Sequence, residues 1–301
     1  MTKKKDIEYS YGLIDKIFRL SIGETGDLSC ALYNGDFSLS LEQAQRRKHE
    51  FIYDYLSIEE GSRVLDMGCG WGPFLNFLKE KNVKGVGVTL SDKQMESCKK
   101  NGFEVYVMDC KTIKPETFGL FDAMVSLGAF EHFCSVNERD PENQKRVYND
   151  FFKTVYNLLP AGGRFYLQTM TFNKNMIDYE DIDIHAEKKS DAHILALVQR
   201  QFPGAWLPVD DDQIIESVKP YFKLLYKSNG RLDYIETISQ WRKRYMRFTF
   251  RKYALFLSLL YSYLSNREFR QRLGKIIGIS PHQACFEREL LNHFRFVFEK
   301  E

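Results

Sequence analysis

Neither charge sign is in excess: 43 lysines and arginines face 41 aspartates and glutamates, for a formal net charge of +2. So even a balance does not call for a nucleic-acid partner. Cysteine is scarce, with six in 301 residues and no C-x-x-C pair. That excludes a disulfide scaffold and offers no metal-ligand spacing, so no metal is expected. The thiols are read as reduced, in a cytoplasmic protein. The basic start of the chain has no apolar stretch behind it, so no signal peptide is expected. The longest apolar run, residues 253–264, is shorter than the roughly 20 residues a membrane span needs. It reads as a buried helix or as a surface that meets lipid. Internal repeats and low-complexity linkers are absent too. What remains is ordinary globular composition, 44% hydrophobic and 28% charged, enough for a substantial core.

One stretch organises the rest: Val64-Leu65-Asp66-Met67-Gly68-Cys69-Gly70-Trp71-Gly72. Residues 63–67 read as a short buried strand, and 73–81 as a helix. Glycines between them allow a tight bend and keep Cβ atoms away from a ligand. The turn's N–H groups and the helix start should form a polar cradle. The turn lacks the G-x-G-x-x-G of dinucleotide folds and the Lys-Ser/Thr of a P-loop. Asp66 followed by glycines resembles the first motif of class I S-adenosylmethionine (SAM) methyltransferases.

From there strand and helix patterns alternate, as in a parallel sheet with crossovers. Strands are expected at 84–89, 104–108, 121–126 and 164–171, with helices from Ser91 to about 101 and over 143–159. A helix is expected over 7–20 and another over 41–56. Beyond 172 the alternation breaks. Residues 172–208 read as a helical insertion, 222–228 and 293–298 as two further strands, and 234–273 as mostly helix. The expected fold is α/β, a mostly parallel seven-stranded sheet with a helical cap. Ligands in such sheets bind outside the carboxyl ends of the strands.

Several motifs occur in order: Ser29-Cys30-Ala31, the glycine turn, Gly87-Val88-Thr89-Leu90-Ser91 with Gln94, and Phe130-Glu131-His132. Later come Phe202-Pro203-Gly204, Leu207-Pro208, Asp233-Tyr234, Thr237 and Trp241. Together they resemble the cyclopropane fatty acid and mycolic acid cyclopropane synthases, a SAM-dependent family. The likeness runs over residues 14–298. It implies a single domain over 1–301: a helical lid (1–60), a SAM-binding core (61–171) and cap insertions (172–220 and 233–285). It also implies that SAM is held by Ser29, Gly68, Cys69, Gly70, Trp71, Gly72, Thr89, Leu90, Ser91, Gln94, Cys110 and Lys111; the chemistry of the ligand adds Asp66, whose carboxylate can accept from its ammonium group. The family binds bicarbonate beside the reacting carbon, and the corresponding ligands here are Cys30, Glu131, Gln168 and Tyr234. Gln168 stands where the family has histidine. An amide donates to an anion but takes no proton near neutral pH. The reactive cysteine near the end of some members has no counterpart, since Cys285 lies well upstream.

The resemblance implies transfer of a methyl or methylene carbon to an unsaturated acyl lipid, with N- or C-methylation of a small natural product as the alternative. Read alone, Glu131 is a helix-start cap, Cys30 a small buried hydrophobe, Tyr234 an ordinary aromatic and Gln168 a sheet-end polar residue. His132 reads as structural. The aromatic run 245–263 reads as core before it reads as the wall of a lipid tunnel. The basic stretch 242–252 reads as a solvated helix face, or as a site for phosphate head groups or an acidic acyl carrier. In the second case the protein is peripheral to a membrane.

Overall fold

The computed structural model describes residues 22, 23, 25–265 and 279–301. The helix expected over 7–20 and the end of the one expected over 234–273, from residue 266 on, lie outside the described residues. The order of main elements is α1 (Leu41–Tyr55), β1 (Arg63–Met67), α2 (Pro73–Glu80), β2 (Lys84–Thr89), α3 (Asp92–Lys100), β3 (Glu104–Val107) and β4 (Ala123–Leu127). Then follow α4 (Pro141–Leu158), β5 (Arg164–Phe172), α5 (Asp191–Gln201), α6 (Asp211–Val218) and β6 (Phe222–Asn229). The chain continues with α7 (Arg231–Met246), α8 (Phe250–Ser265), α9 (Ile279–Glu287) and β7 (Leu291–Lys300).

The strands form one sheet in the order β3-β2-β1-β4-β5-β7-β6. The first five are parallel, and β7 runs antiparallel between β5 and β6. Central strands of such a sheet are covered on both faces and so carry unbroken apolar runs. Val64, Leu65 and Met67 on β1 and Ala123, Met124 and Val125 on β4 are all buried. On one face lies α4, started by Asp140, whose side chain accepts the Asn143 N–H, and by Pro141 at the first helical position. Its stripe Val147, Phe151, Phe152, Val155 and Leu158 packs against Phe165 and Phe298. On the other face Ile52 of α1 joins Phe74, Phe77 and Tyr166.

Two expectations beyond the sheet need correction. The helix expected over 234–273 is broken, because Arg247 is extended (φ −63°, ψ 137°) and α8 starts afresh at Phe250. Thr249 supplies the break, since its hydroxyl accepts the Lys252 N–H at 3.3 Å as an N-cap does. The second correction concerns the aromatic run, which leaves the core: no side chain described in α8 is buried. In the stretch 172–208 only α5 is a full helix, and β5 extends to Phe172. Among the described residues, no helix is long and apolar enough to cross a membrane.

Candidate active site

The carboxyl ends of β1, β2 and β4 open onto a cleft of about 1140 Å3, measured out to its mouth. Ser29, Asp66, Gly68, Cys69, Gly70, Trp71, Thr89, Leu90, Gln94, Cys110 and Lys111 line it. Gly72 and Ser91, expected among them, do not; they shape the cleft from behind. Gly72 is the left-handed N-cap of α2 (φ 79°). Ser91 spends its hydroxyl capping α3 at the Gln94 N–H. Gly68 has a steric reason to be glycine: at φ +98° its Cβ would lie 2.3 Å from that of Ala129.

The turn's donors are largely spent inside the fold. Gly68 and Cys69 both donate to the Val88 carbonyl at 3.0 Å, and Gly72 donates to the Cys69 carbonyl at 2.9 Å. What the cleft offers instead is a carboxylate. Asp66 is buried, and its Oδ1 has no hydrogen-bond partner. Burial, reinforced by the charge of Asp27, lifts its pKa to about 7. An orphaned buried acceptor is what an ammonium group satisfies. The Gln94 amide oxygen accepts the Thr89 hydroxyl at 2.6 Å, which leaves recognition to its NH2 end. These residues fit SAM.

Beneath the cleft lies a buried ionic cluster that the sequence reading missed. Asp27 meets Lys48 Nζ at 2.6 Å and His49 Nε2 at 3.0 Å. The Ser29 hydroxyl donates to Asp27 Oδ1 and accepts from Lys48 Nζ, both at 2.6 Å. Burial opposes the Asp27 charge, but Lys48 and His49 outweigh it and hold the carboxyl far below its usual range. The Ser29 hydroxyl is thus engaged within the protein. A signal was present: Lys48 and His49 fall on the inward stripe of α1, with Leu41, Ala44, Gln45 and Ile52. A lysine on an apolar stripe needs a buried partner.

A second cavity, of about 1250 Å3, adjoins the cleft. Leu28, Ser29, Gly128 and His132 line both. Its walls are chiefly apolar, with Phe172, Leu195, Trp206, Ile238 and Trp241 among them. Cys30, Glu131, Gln168 and Tyr234 all face it, so the structure brings the four together. Glu131 follows β4 on a tight turn, and its Oε1 accepts the Met170 N–H at 2.9 Å. Its Oε2 is buried without a partner. Burial raises its pKa to about 7, although the Met170 bond pulls the other way.

Cys30 contributes its backbone. Its carbonyl accepts Gln168 Nε2 at 3.0 Å, and burial pushes its thiol up to about 12, so no thiolate nucleophile is available. Gln168 Oε1 accepts the Tyr166 hydroxyl at 3.2 Å. Three further bonds pin this segment. Ala31 N–H donates to Thr237 at 3.1 Å, the Ala31 carbonyl accepts Arg295 Nη2 at 2.8 Å, and Arg295 pairs with Asp233 at 2.9 Å. Arg295 sits in the apolar run of β7, another buried cation legible in principle. The ring of Tyr234 packs against Phe286 and His293, with centroids 4.8 and 5.1 Å apart. His132, read as structural, stands between the two cavities. Burial lowers its pKa to about 4, so it is neutral, and its Nδ1 has no partner. Among the described residues no His, Cys, Asp and Glu cluster could hold a metal ion.

A seven-stranded sheet with this cleft at its strand ends is the class I SAM-methyltransferase fold. A profile of the mycolic acid cyclopropane synthetase family matches residues 1–264. The chain belongs to that family of SAM-dependent enzymes. Hydroxymycolate synthase MmaA4 of Mycobacterium tuberculosis is 29% identical over 250 residues, 80% of this chain and 77% of the relative. Cyclopropane mycolic acid synthase 3 of the same species is 31% identical over 248 residues, 78% and 80% of the two chains. The crystal structure of mycolic acid cyclopropane synthase CmaA1 complexed with SAH and CTAB has a TM-score of 0.75. It covers 99% of this chain and 98% of that one at 23% identity, a likeness of fold.

Proposed function

We propose that this chain transfers a one-carbon unit from SAM to the double bond of an unsaturated acyl chain held in the second cavity. The observation that carries the reading is the junction: an apolar cavity holding one carboxylate, with one of its oxygens buried and unpartnered, meets the cleft that fits SAM. SAM supplies an electrophilic methyl group with a good leaving group. The protein's part is then alignment, which brings alkene, methyl and sulfur into line. Leu28, Ser29, Gly128 and His132 mark where the two ligands would meet.

Addition to an alkene leaves a carbocation on the acyl chain. Aromatic faces of Tyr234 and Trp241 and the Glu131 carboxylate would stabilise it. Glu131 Oε2 is the acceptor we assign to the departing proton. Loss from the new methyl closes a cyclopropane ring; loss from a neighbouring carbon gives a methylated alkene. The Gln168 amide nitrogen carries two N–H groups and spends one on Cys30. It would orient a bicarbonate ion without itself acting as base. Relatives named for mycolate synthesis, and a fold neighbour complexed with the detergent CTAB, agree with a long apolar substrate.

The test uses purified protein, methyl-labelled SAM, and matched unsaturated and saturated acyl lipids dispersed in detergent. Label should enter the unsaturated lipid alone. Equal labelling of the saturated lipid, or of neither while an amine is methylated, would overturn the reading.

A further inference from the structure

The mechanism makes no use of α8, the most apolar exposed surface described. Phe250, Tyr253, Leu257, Leu260, Tyr261 and Leu264 recur at steps of three, four, three, one and three, which places them on one helix face. Phe250 is 86% exposed, Leu257 71% and Tyr261 80%. Such a patch marks an interaction site. Charge says which kind. From Thr237 to Arg267 the chain carries seven lysines and arginines and no aspartate or glutamate. Arg242, Lys243 and Arg247 are exposed at the end of α7, just before the stripe begins. At 16 residues α8 is about 24 Å long, too short to span a bilayer but suited to lie in its interface. It also continues from the cavity wall: Tyr234, Ile238 and Trp241 of α7 face the acyl cavity, and α8 follows after a three-residue break.

We infer that α8 and the basic end of α7 dock the protein on an anionic lipid bilayer, from which the acyl chain enters the second cavity. The stripe enters the acyl boundary while Arg242, Lys243 and Arg247 meet head-group phosphates. An acidic carrier protein would be drawn by the same charges but would leave the stripe uncovered. The inference rests on the acyl-substrate reading for what it delivers, and on exposure and charge alone for the docking.

Flotation with vesicles tests it. The intact chain should float with phosphatidylglycerol–phosphatidylcholine vesicles and stay in solution with phosphatidylcholine alone. Leu257→Asp with Tyr261→Asp should weaken that binding by about tenfold or more, as expected when two large apolar groups no longer enter lipid. Arg242→Glu with Arg247→Glu should weaken it by a similar factor of about ten. Both pairs are exposed, and SAM affinity and turnover on detergent-dispersed lipid should stay at the parent level. Turnover on vesicle lipid should fall with docking. Equal flotation of parent and stripe variant would overturn the inference. So would a dimer in solution that the stripe variant dissolves, or binding to an acidic acyl-carrier protein that only charge reversal abolishes. Docking that fails while dispersed lipid is still converted leaves the proposed reaction standing; the opposite result removes the reaction and keeps the docking.

Discussion

Replacing Glu131 by glutamine removes a charge and a proton acceptor while keeping the shape. The Met170 N–H, now 2.9 Å from Oε1, can bond the amide oxygen instead, so the turn after β4 should stay in place. Glu131 does not line the SAM cleft, so SAM affinity should change by less than about twofold. Turnover should fall by roughly 10²–10⁴, the usual worth of a general base, or about 3–5 kcal/mol of barrier. The pH profile gives a second reading. Burial places the parent's pKa at about 7. Between pH 6 and pH 8 the ionised fraction, and the rate with it, should rise roughly tenfold. In the variant that limb should vanish.

Stability should move the opposite way. The folded pKa lies above the ordinary glutamate value of 4.5. The group's contribution is therefore fully present below about pH 4.5 and is lost as pH rises through about 7. The glutamine mimics the protonated form, so above pH 7 the variant should be the more stable by up to about 3 kcal/mol. Initial rates at saturating SAM from pH 5.5 to 9, where the pH dependence of SAM binding no longer enters, and urea unfolding at pH 5 and 8 provide the comparison. Turnover at the parent's level, or a surviving pH limb, would remove Glu131 from the chemistry.

Three further outcomes follow from other buried groups. SAM should bind the parent more tightly as pH rises through about 7, where Asp66 ionises; Asp66→Asn should lose that dependence and about 10–100-fold in affinity by calorimetry at pH 8. Lys48→Met leaves Asp27 buried without its ammonium partner and should cost about 3–5 kcal/mol in urea unfolding; an unchanged midpoint would mean the cluster relaxes freely. Gln168→His restores an imidazole beside Cys30 and Glu131 and should raise any bicarbonate dependence of the rate, measured in degassed and bicarbonate-supplemented buffer; a flat response would count against an anion site there.

The sheet was legible because its signals are local. Unbroken apolar runs such as Val64-Leu65 and turn glycines such as Gly68 report directly on buried strands and the bends that follow them. Edges moved by a residue or two, as with β5, which runs on to Phe172. The four residues gathered around the second cavity came from motif likeness, since nothing local in Cys30, Gln168 or Tyr234 points to a shared space. Their supports were harder to see. Lys48, Arg295 and Asp233 act through partners 21 or 62 positions away in sequence, and spacing cannot report such pairs. It does flag a cation on an apolar stripe, which is where Lys48 and Arg295 stand. The aromatic run of α8 failed as core for a related reason. Composition says that Phe250, Leu257 and Tyr261 are apolar, but only the three-dimensional path says whether another element covers them.

The most direct test of one-carbon transfer to acyl chains follows label through living cells. Cells expressing the protein are fed methyl-deuterated methionine, and total lipids and soluble metabolites are read by mass spectrometry. Label should appear in acyl chains, with two deuterons kept where a cyclopropane closes and three where a methyl branch forms. Label confined to small soluble products, with acyl chains unlabelled, would contradict the assignment and point to methylation of a small molecule.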